Sequence, residues 1–172
     1  MKLKTRELAI FAMLGAIMYV SKVIMEWIPN VHLLGALTMA YTLVYRRKAL
    51  YPIYVFVFLC GALGGFNAWW IPYLYVWTIL WMITMLLPKN MPKKIAPLVY
   101  MVVCALHGFG FGILYAPAQA LMFGLSFEAT LAWIASGFPF DMMHGIGNFF
   151  CGMLIMPIVS LLRYLERNSQ VT

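Results

Sequence analysis

Acid is the scarcest thing in this chain: 172 residues carry 5 Asp and Glu against 12 Lys and Arg. Charged residues make up only 10% of it, hydrophobic residues 65%, and the mean hydropathy is +0.89. A soluble domain is about half apolar and about a quarter charged, so this composition excludes an ordinary water-soluble domain and indicates an integral membrane protein of one domain's length, residues 1–172. Cysteine is also scarce. Cys60, Cys104 and Cys151 are odd in number and each lies in an apolar run, which argues against a disulfide framework and for small buried side chains. No HExxH, CxxC or paired-histidine spacing is present, so no metal site is expected; His107, His144 and Asp141 are the only residues that suggest one. Ser136 lacks a nucleophile-elbow context, which leaves it and His144 without the setting of a hydrolase. Linker-like Ser-, Pro- or Gly-rich tracts and low-complexity segments are missing too.

What is present is a succession of apolar runs. Ala49 to Pro88 holds no charge, enough for two helices of about 20 residues, with "GGFNAWW" (Gly64–Trp70) supplying a turn. The expected fold is all-α, a bundle of six transmembrane helices at roughly Glu7–Trp27, Val31–Tyr45, Ala49–Gly65, Trp69–Leu87, Ile95–Tyr115 and Phe140–Leu162. The second is short for a span and reads as tilted or partly loop. Ala116–Gly137 reads as an external connection with an interfacial helix, capped by Ser126 and with Glu128 in its first turn.

The net charge of +7 invites a nucleic-acid partner, but its distribution argues for topology instead. Lys2, Lys4 and Arg6 precede the first segment, Arg46–Lys48 follow the second, Lys89, Lys93 and Lys94 follow the fourth, and Arg163 and Arg167 follow the sixth. With six spans all four clusters fall on one side, which the positive-inside rule makes cytoplasmic, with both termini inside. Lys22 alone departs. The first segment has signal-like basic flanks but is long and lacks a clear cleavage site, so it is expected to be retained.

The opposite side collects polar and aromatic residues: Trp27, Asn30 and His32 after the first segment, Asn67 and Trp70 in the next turn, Gln119 after the fifth, then the approach to Asp141. Tryptophan alone fits an interfacial belt; tryptophan with Asn, His, Gln and Asp fits a ligand pocket between helices. Asp141, His144 and Asn148, spaced i, i+3, i+7, share a helix face. Ionisable groups in membrane helices face a partner or cavity. Two readings stand: ligand recognition, with Asp141 the first candidate, or a polar clamp to a neighbouring helix, His107 being one partner. Trp70, Tyr73, Trp77 and Trp81 form one aromatic stripe, whose outer end, Trp70 and Tyr73, suits stacking on a flat ring and whose inner end, Trp81, suits packing. In "AMLGA", Ala12 and Ala16 let a second helix come close, either from this chain or from a partner.

The chain resembles the substrate-binding S-component of an energy-coupling factor (ECF) vitamin importer. The resemblance rests on Ala12-x-x-x-Ala16 in the first segment, "PFDMMHGIGNFF" opening the last, and the length and arrangement of the segments. It implies capture of a vitamin-like micronutrient at the outer face of a prokaryotic cytoplasmic membrane. It implies docking through Ala12 and Ala16 onto a membrane coupling subunit that carries two cytoplasmic ABC-type ATPases. The loop with Trp27, Asn30 and His32 would act as a lid, and the outer parts of the last three segments, with Asn67, Trp70, Tyr73, Gln119, Asp141 and His144, would line the pocket. The chain has no Walker A pattern and no implied cofactor, and it is not expected to be an enzyme. The aromatic surplus favours a flat heteroaromatic ligand, such as riboflavin, pyridoxine, thiamine or its pyrimidine precursor, or a queuine-like deazapurine. The competing readings are a small intramembrane enzyme using Asp141 and His144, and a carrier driven by ions alone.

Overall fold

A computed structural model describes residues 3–168, so Lys2 lies outside the described residues. The first helix, α1 (Thr5–Met25), is apolar around most of its surface. Glu7 in its first turn accepts from the Lys4 backbone N–H (3.1 Å), and Lys22 sits in its last turn, both complementing the helix dipole. After a loop come α2 (Leu34–Tyr45), a 3₁₀ turn at Arg46–Ala49 and α3 (Leu50–Gly64); then α4 (Tyr73–Leu86), α5 (Ala96–Phe109), α6 (Phe111–Phe123), α7 (Phe127–Cys151), a 3₁₀ turn at Gly152–Leu154, and α8 (Ile155–Asn168).

The expectation of six separate spans is not met. The helices join into five continuous stretches, and four are long and apolar enough to cross a membrane: Thr5–Met25, Leu34–Gly64, Ala96–Phe123 and Phe127–Asn168. The fifth, Tyr73–Leu86, is shorter: 14 residues reach about 21 Å at 1.5 Å per residue, against a hydrocarbon core of about 30 Å. A 3₁₀ turn at Arg46–Ala49 joins the second and third expected segments with no loop between them, and the chain reverses there, Arg46 having a positive φ (53°). By length and composition, the structure supports a multi-pass membrane protein.

Ala116–Gly137 also differs from expectation. It is helical on both sides of a turn: Ala116–Phe123 completes α6, and Phe127 already begins α7. The reversal is the short turn at Gly124, which adopts the left-handed conformation (φ 62°) that glycine accepts readily. Ser126 does cap the helix that follows, its Oγ accepting from the Ala129 N–H at 3.2 Å, and Glu128 does occupy the first turn. Gly137 and Pro139 suggest a break, yet both lie inside α7.

Side-chain pairings fix the directions of the helices. Phe11 packs on both Tyr45 and Tyr51, and Glu7 forms an ion pair with Lys48, so α1 runs alongside α3 in the same sense and opposite to α2. Just before α4, Trp70 Nε1 donates to the Val57 carbonyl (2.7 Å), and at its far end the Met85 carbonyl accepts from Arg46 Nη2 (3.0 Å), which makes α4 antiparallel to α3. At the centre stands α2: every residue from Leu34 to Thr42 is buried. A helix apolar on all sides belongs in the middle of a bundle. Thr42 satisfies its hydroxyl on the Thr38 carbonyl within the helix.

Helices α5 and α7 approach closely. A Cβ on Gly108 would sit 2.8 Å from the Gly145 Cα and the His144 carbonyl oxygen, both backbone atoms that a rotamer change cannot move. Gly108→Val should therefore force the two helices apart. Overpacking of this kind costs about 1–3 kcal/mol or more, and the expected result is a clear loss of melting temperature in detergent. A Gly108→Val protein as stable as the wild type would contradict this packing.

Candidate functional site

The chain has three histidines, on three different elements: His32 before α2, His107 in α5 and His144 in α7. They converge on the buried ring of Trp77 in α4 and on Phe111 at the start of α6. The His32 ring lies 4.7 Å from that of His144 and 6.0 Å from Trp77. His107 lies 5.7 Å from Trp77, and His144 lies 4.6 Å from Phe111. Tyr73, one turn along α4, closes the cluster edge-on to Trp77.

This cluster is rich in unused hydrogen-bonding capacity. Among the described residues, His32 Nδ1, His107 Nδ1, His144 Nε2 and Trp77 Nε1 are buried with no hydrogen-bond partner in the protein. Buried polar atoms are nearly always paired, so four together mark a place built to meet something polar. His107 is held from its other side, by contact of Nε2 with the Val76 carbonyl (3.1 Å). Burial holds His32 down to about 4, well below the usual imidazole range, so its ring is neutral at pH 7 and offers one donor and one acceptor.

A cavity of about 400 Å³ opens onto this cluster, within the range of small-molecule sites. The loop Glu26–His32 covers it. Tyr73, Phe111, Phe140 and His144 form its walls. Asn30 lies in the loop with a positive φ (58°), a conformation Asn tolerates better than most residues. Lys22 lies at the rim, bonded to Glu26 at 3.3 Å, which explains why it stands apart from the basic clusters. A second cavity of about 470 Å³ shares Lys22, Glu26 and Tyr73 with the first and extends toward Trp69 and Cys60.

The residues singled out from sequence divide into two groups. Asn30, His32, Tyr73 and His144 line the first cavity together. Trp27 is in the same loop but 79% exposed, outside the lining. Trp70 spends its indole N–H on Val57 and packs its ring edge-on to Phe66, against α3. Asn67 is exposed in the turn beside it, and Gln119 is half-buried on α6 away from the cavity lining.

Asp141 is elsewhere again. Its two oxygens accept from the single backbone N–H of Gly112, at 3.0 and 3.1 Å. The break at Gly110 between α5 and α6 frees that N–H from the helix ladder, and Asp141 reaches across from α7 to satisfy it. Asn148 donates to the Cys104 carbonyl (3.2 Å) and ties α7 to α5 one level deeper. The Asp141–His144–Asn148 face thus splits: both ends hold helices together, and the middle faces the cavity. His107 bonds to Val76 rather than to any of the three. No group of three His, Cys, Asp or Glu residues among those described is placed to hold a metal ion. The wall residues Phe111 and Phe140, and Trp77 behind them, were not distinguishable in sequence from packing aromatics.

Ala12 lies on the open face of α1 and Ala16 at its edge. Ala12 is exposed and Ala16 half-buried. The close contact inside this chain is made by Gly15, where a Cβ would lie 2.6 Å from Val55 and 2.8 Å from the Pro52 carbonyl oxygen. The small-residue pair is therefore not consumed by internal packing.

Comparison with known proteins yields no relative: no protein-family model, no curated protein and no solved structure matches the chain significantly.

Proposed function

We propose that the chain is the substrate-binding component of an ECF-type importer, capturing a small, flat heteroaromatic micronutrient in the cavity beneath the Glu26–His32 loop. The observation that carries this reading is the cavity itself: aromatic walls from three helices, a covering loop, and unpaired nitrogens on His32 and His144. Flat rings stack on Tyr73 and Phe111, while neutral imidazoles can each donate or accept one hydrogen bond. A neutral or weakly polar ring system with its own donors and acceptors matches that lining.

The distribution of charge supports the orientation. Arg46, Lys89, Lys93, Arg163 and Arg167 gather around one end of the bundle, and the His32–His144 cavity opens at the other. By the positive-inside rule the basic end is cytoplasmic and the cavity faces outward. The exposed Ala12–Ala16 face of α1 is free to take a coupling subunit, which in turn would bring the two ATPases. An enzyme or a lone carrier built on Asp141 has less support, because the Asp141 carboxylate is occupied by Gly112.

The test is to purify the chain alone from cells grown in rich medium and identify bound small molecules by mass spectrometry. An unaltered vitamin-like heteroaromatic compound, near one per chain, is the expected result. A chemically converted compound would favour an enzyme, and the reproducible absence of any bound compound, even after soaking with a vitamin panel, would contradict the proposal.

A further inference from the structure

A cavity of about 820 Å³ lies at the other end of the bundle, between α2, the α4–α5 loop, the start of α5, and α8. Arg46, Lys89, Lys93, Arg163 and Arg167 line it, from three separate parts of the chain. Among the described residues, no carboxylate lines it. Glu166 on α8 is not among the lining residues and bonds to Tyr45. Ser160 and Tyr100 add hydroxyl donors, and one flank is apolar, with Leu43, Met156 and Val159.

Five cations around one concavity repel one another unless an anion joins them. Topology alone asks only that basic residues lie near this surface; it does not require them to converge on a single hollow beside an apolar flank. Basic pockets between membrane helices on the cytoplasmic side suit phosphate-bearing lipid headgroups. Arg in particular offers a planar fork of donors to phosphate oxygens. We propose that this cavity is a phosphate site, occupied by the headgroup of an anionic phospholipid whose acyl chain lies along Leu43, Met156 and Val159. A lipid there would bridge α2, α5 and α8 at the end of the bundle remote from the ligand cavity.

The test uses the full chain in detergent, titrated with phosphatidylglycerol, with phosphatidylcholine and with inorganic phosphate, binding being read by native mass spectrometry and by thermal shift. Phosphatidylglycerol should bind at least tenfold more tightly than phosphatidylcholine. Each cation near such a surface contributes about a fivefold effect on affinity, so Lys89→Gln with Arg163→Gln should remove most of that preference. Both side chains are exposed, so the lipid-free double variant should melt as the wild type does. Inorganic phosphate at millimolar concentration separates the two sources of the group: displacement of the lipid marks a site for free phosphate, and failure to displace it marks the headgroup. Equal binding of the two lipids without any binding of phosphate, or phosphatidylglycerol binding unchanged in the double variant, would overturn the proposal and leave the patch to a protein partner or to solvent.

Discussion

If the chain is the proposed importer component, replacing Ala12 and Ala16 together with Trp should abolish ligand uptake, a loss of about a hundredfold or more, while the isolated chain still binds its ligand. The expectation rests on where α1 puts its small residues. Gly15 is spent inside the molecule, against Val55 and Pro52, whereas Ala12 is exposed and Ala16 partly so. Helices associate in lipid through close backbone approach across small side chains, and two indole rings would hold a partner helix several ångströms away. Ala12 is exposed and Ala16 only half-buried, so most of the added bulk falls outside the fold, and the melting curve of the variant reads any cost at Ala16. Uptake measured in cells or proteoliposomes, beside binding and melting of the purified variant, separates the two effects. Normal transport by the double variant would show that α1 does not dock.

Asp141→Ala should chiefly destabilise the protein. The substitution leaves the Gly112 N–H buried and unpaired at the α5–α6 break and removes a hydrogen bond to a carboxylate. A lost charge-assisted bond and an orphaned buried donor together correspond to about 2–3 kcal/mol. Gly112 has no spare room either, since a Cβ there would collide with the Asp141 carboxylate, so the contact is tightly fitted. Asp141→Asn, which can still accept through its carbonyl oxygen, should recover part of the loss. The measurement is a detergent melting curve for both variants. If Asp141→Ala folds with undiminished stability but binds ligand weakly, the carboxylate belongs to the ligand site after all.

Much of the helical content was legible because apolar runs punctuated by basic clusters leave few alternatives. The ends of α1 fall within two residues of the expected segment, and the Ser126 cap is where the hydroxyl and Glu128 suggested. The number of spans was not legible. Gly137 and Pro139 carry the usual marks of a helix boundary, yet α7 continues through both, while the real turn lies at Gly124 in an otherwise apolar stretch. The join at Gly110, which creates the free N–H that Asp141 meets, is hidden in "LHGFGFGIL" for the same reason. The cavity was legible in part. Asn30, His32, Tyr73 and His144 stood out as polar or aromatic residues on one side. Apart from Tyr73, one turn from Trp77, their convergence depends on contacts between distant parts of the chain, His32 with Trp77 and with His144, which no local spacing encodes. Trp70 and Trp77 share one sequence stripe and both pack against α3; only the folded chain shows that Trp70 spends its indole N–H on Val57 while the Trp77 ring meets His32 and His107.

Calorimetric titration of the compound recovered with the purified chain tests the cavity beneath the Glu26–His32 loop most directly. Into the wild type it should bind near one to one. His144→Ala should lose about ten- to hundredfold in affinity, as expected when a buried polar partner is removed, and His144→Gln, which keeps a donor and an acceptor, should lose less. Trp70→Ala, whose ring packs against α3, should bind nearly as the wild type does. Undiminished affinity in a well-folded His144→Ala, with the loss appearing in Trp70→Ala instead, would contradict the account and move the site to the α3–α4 turn.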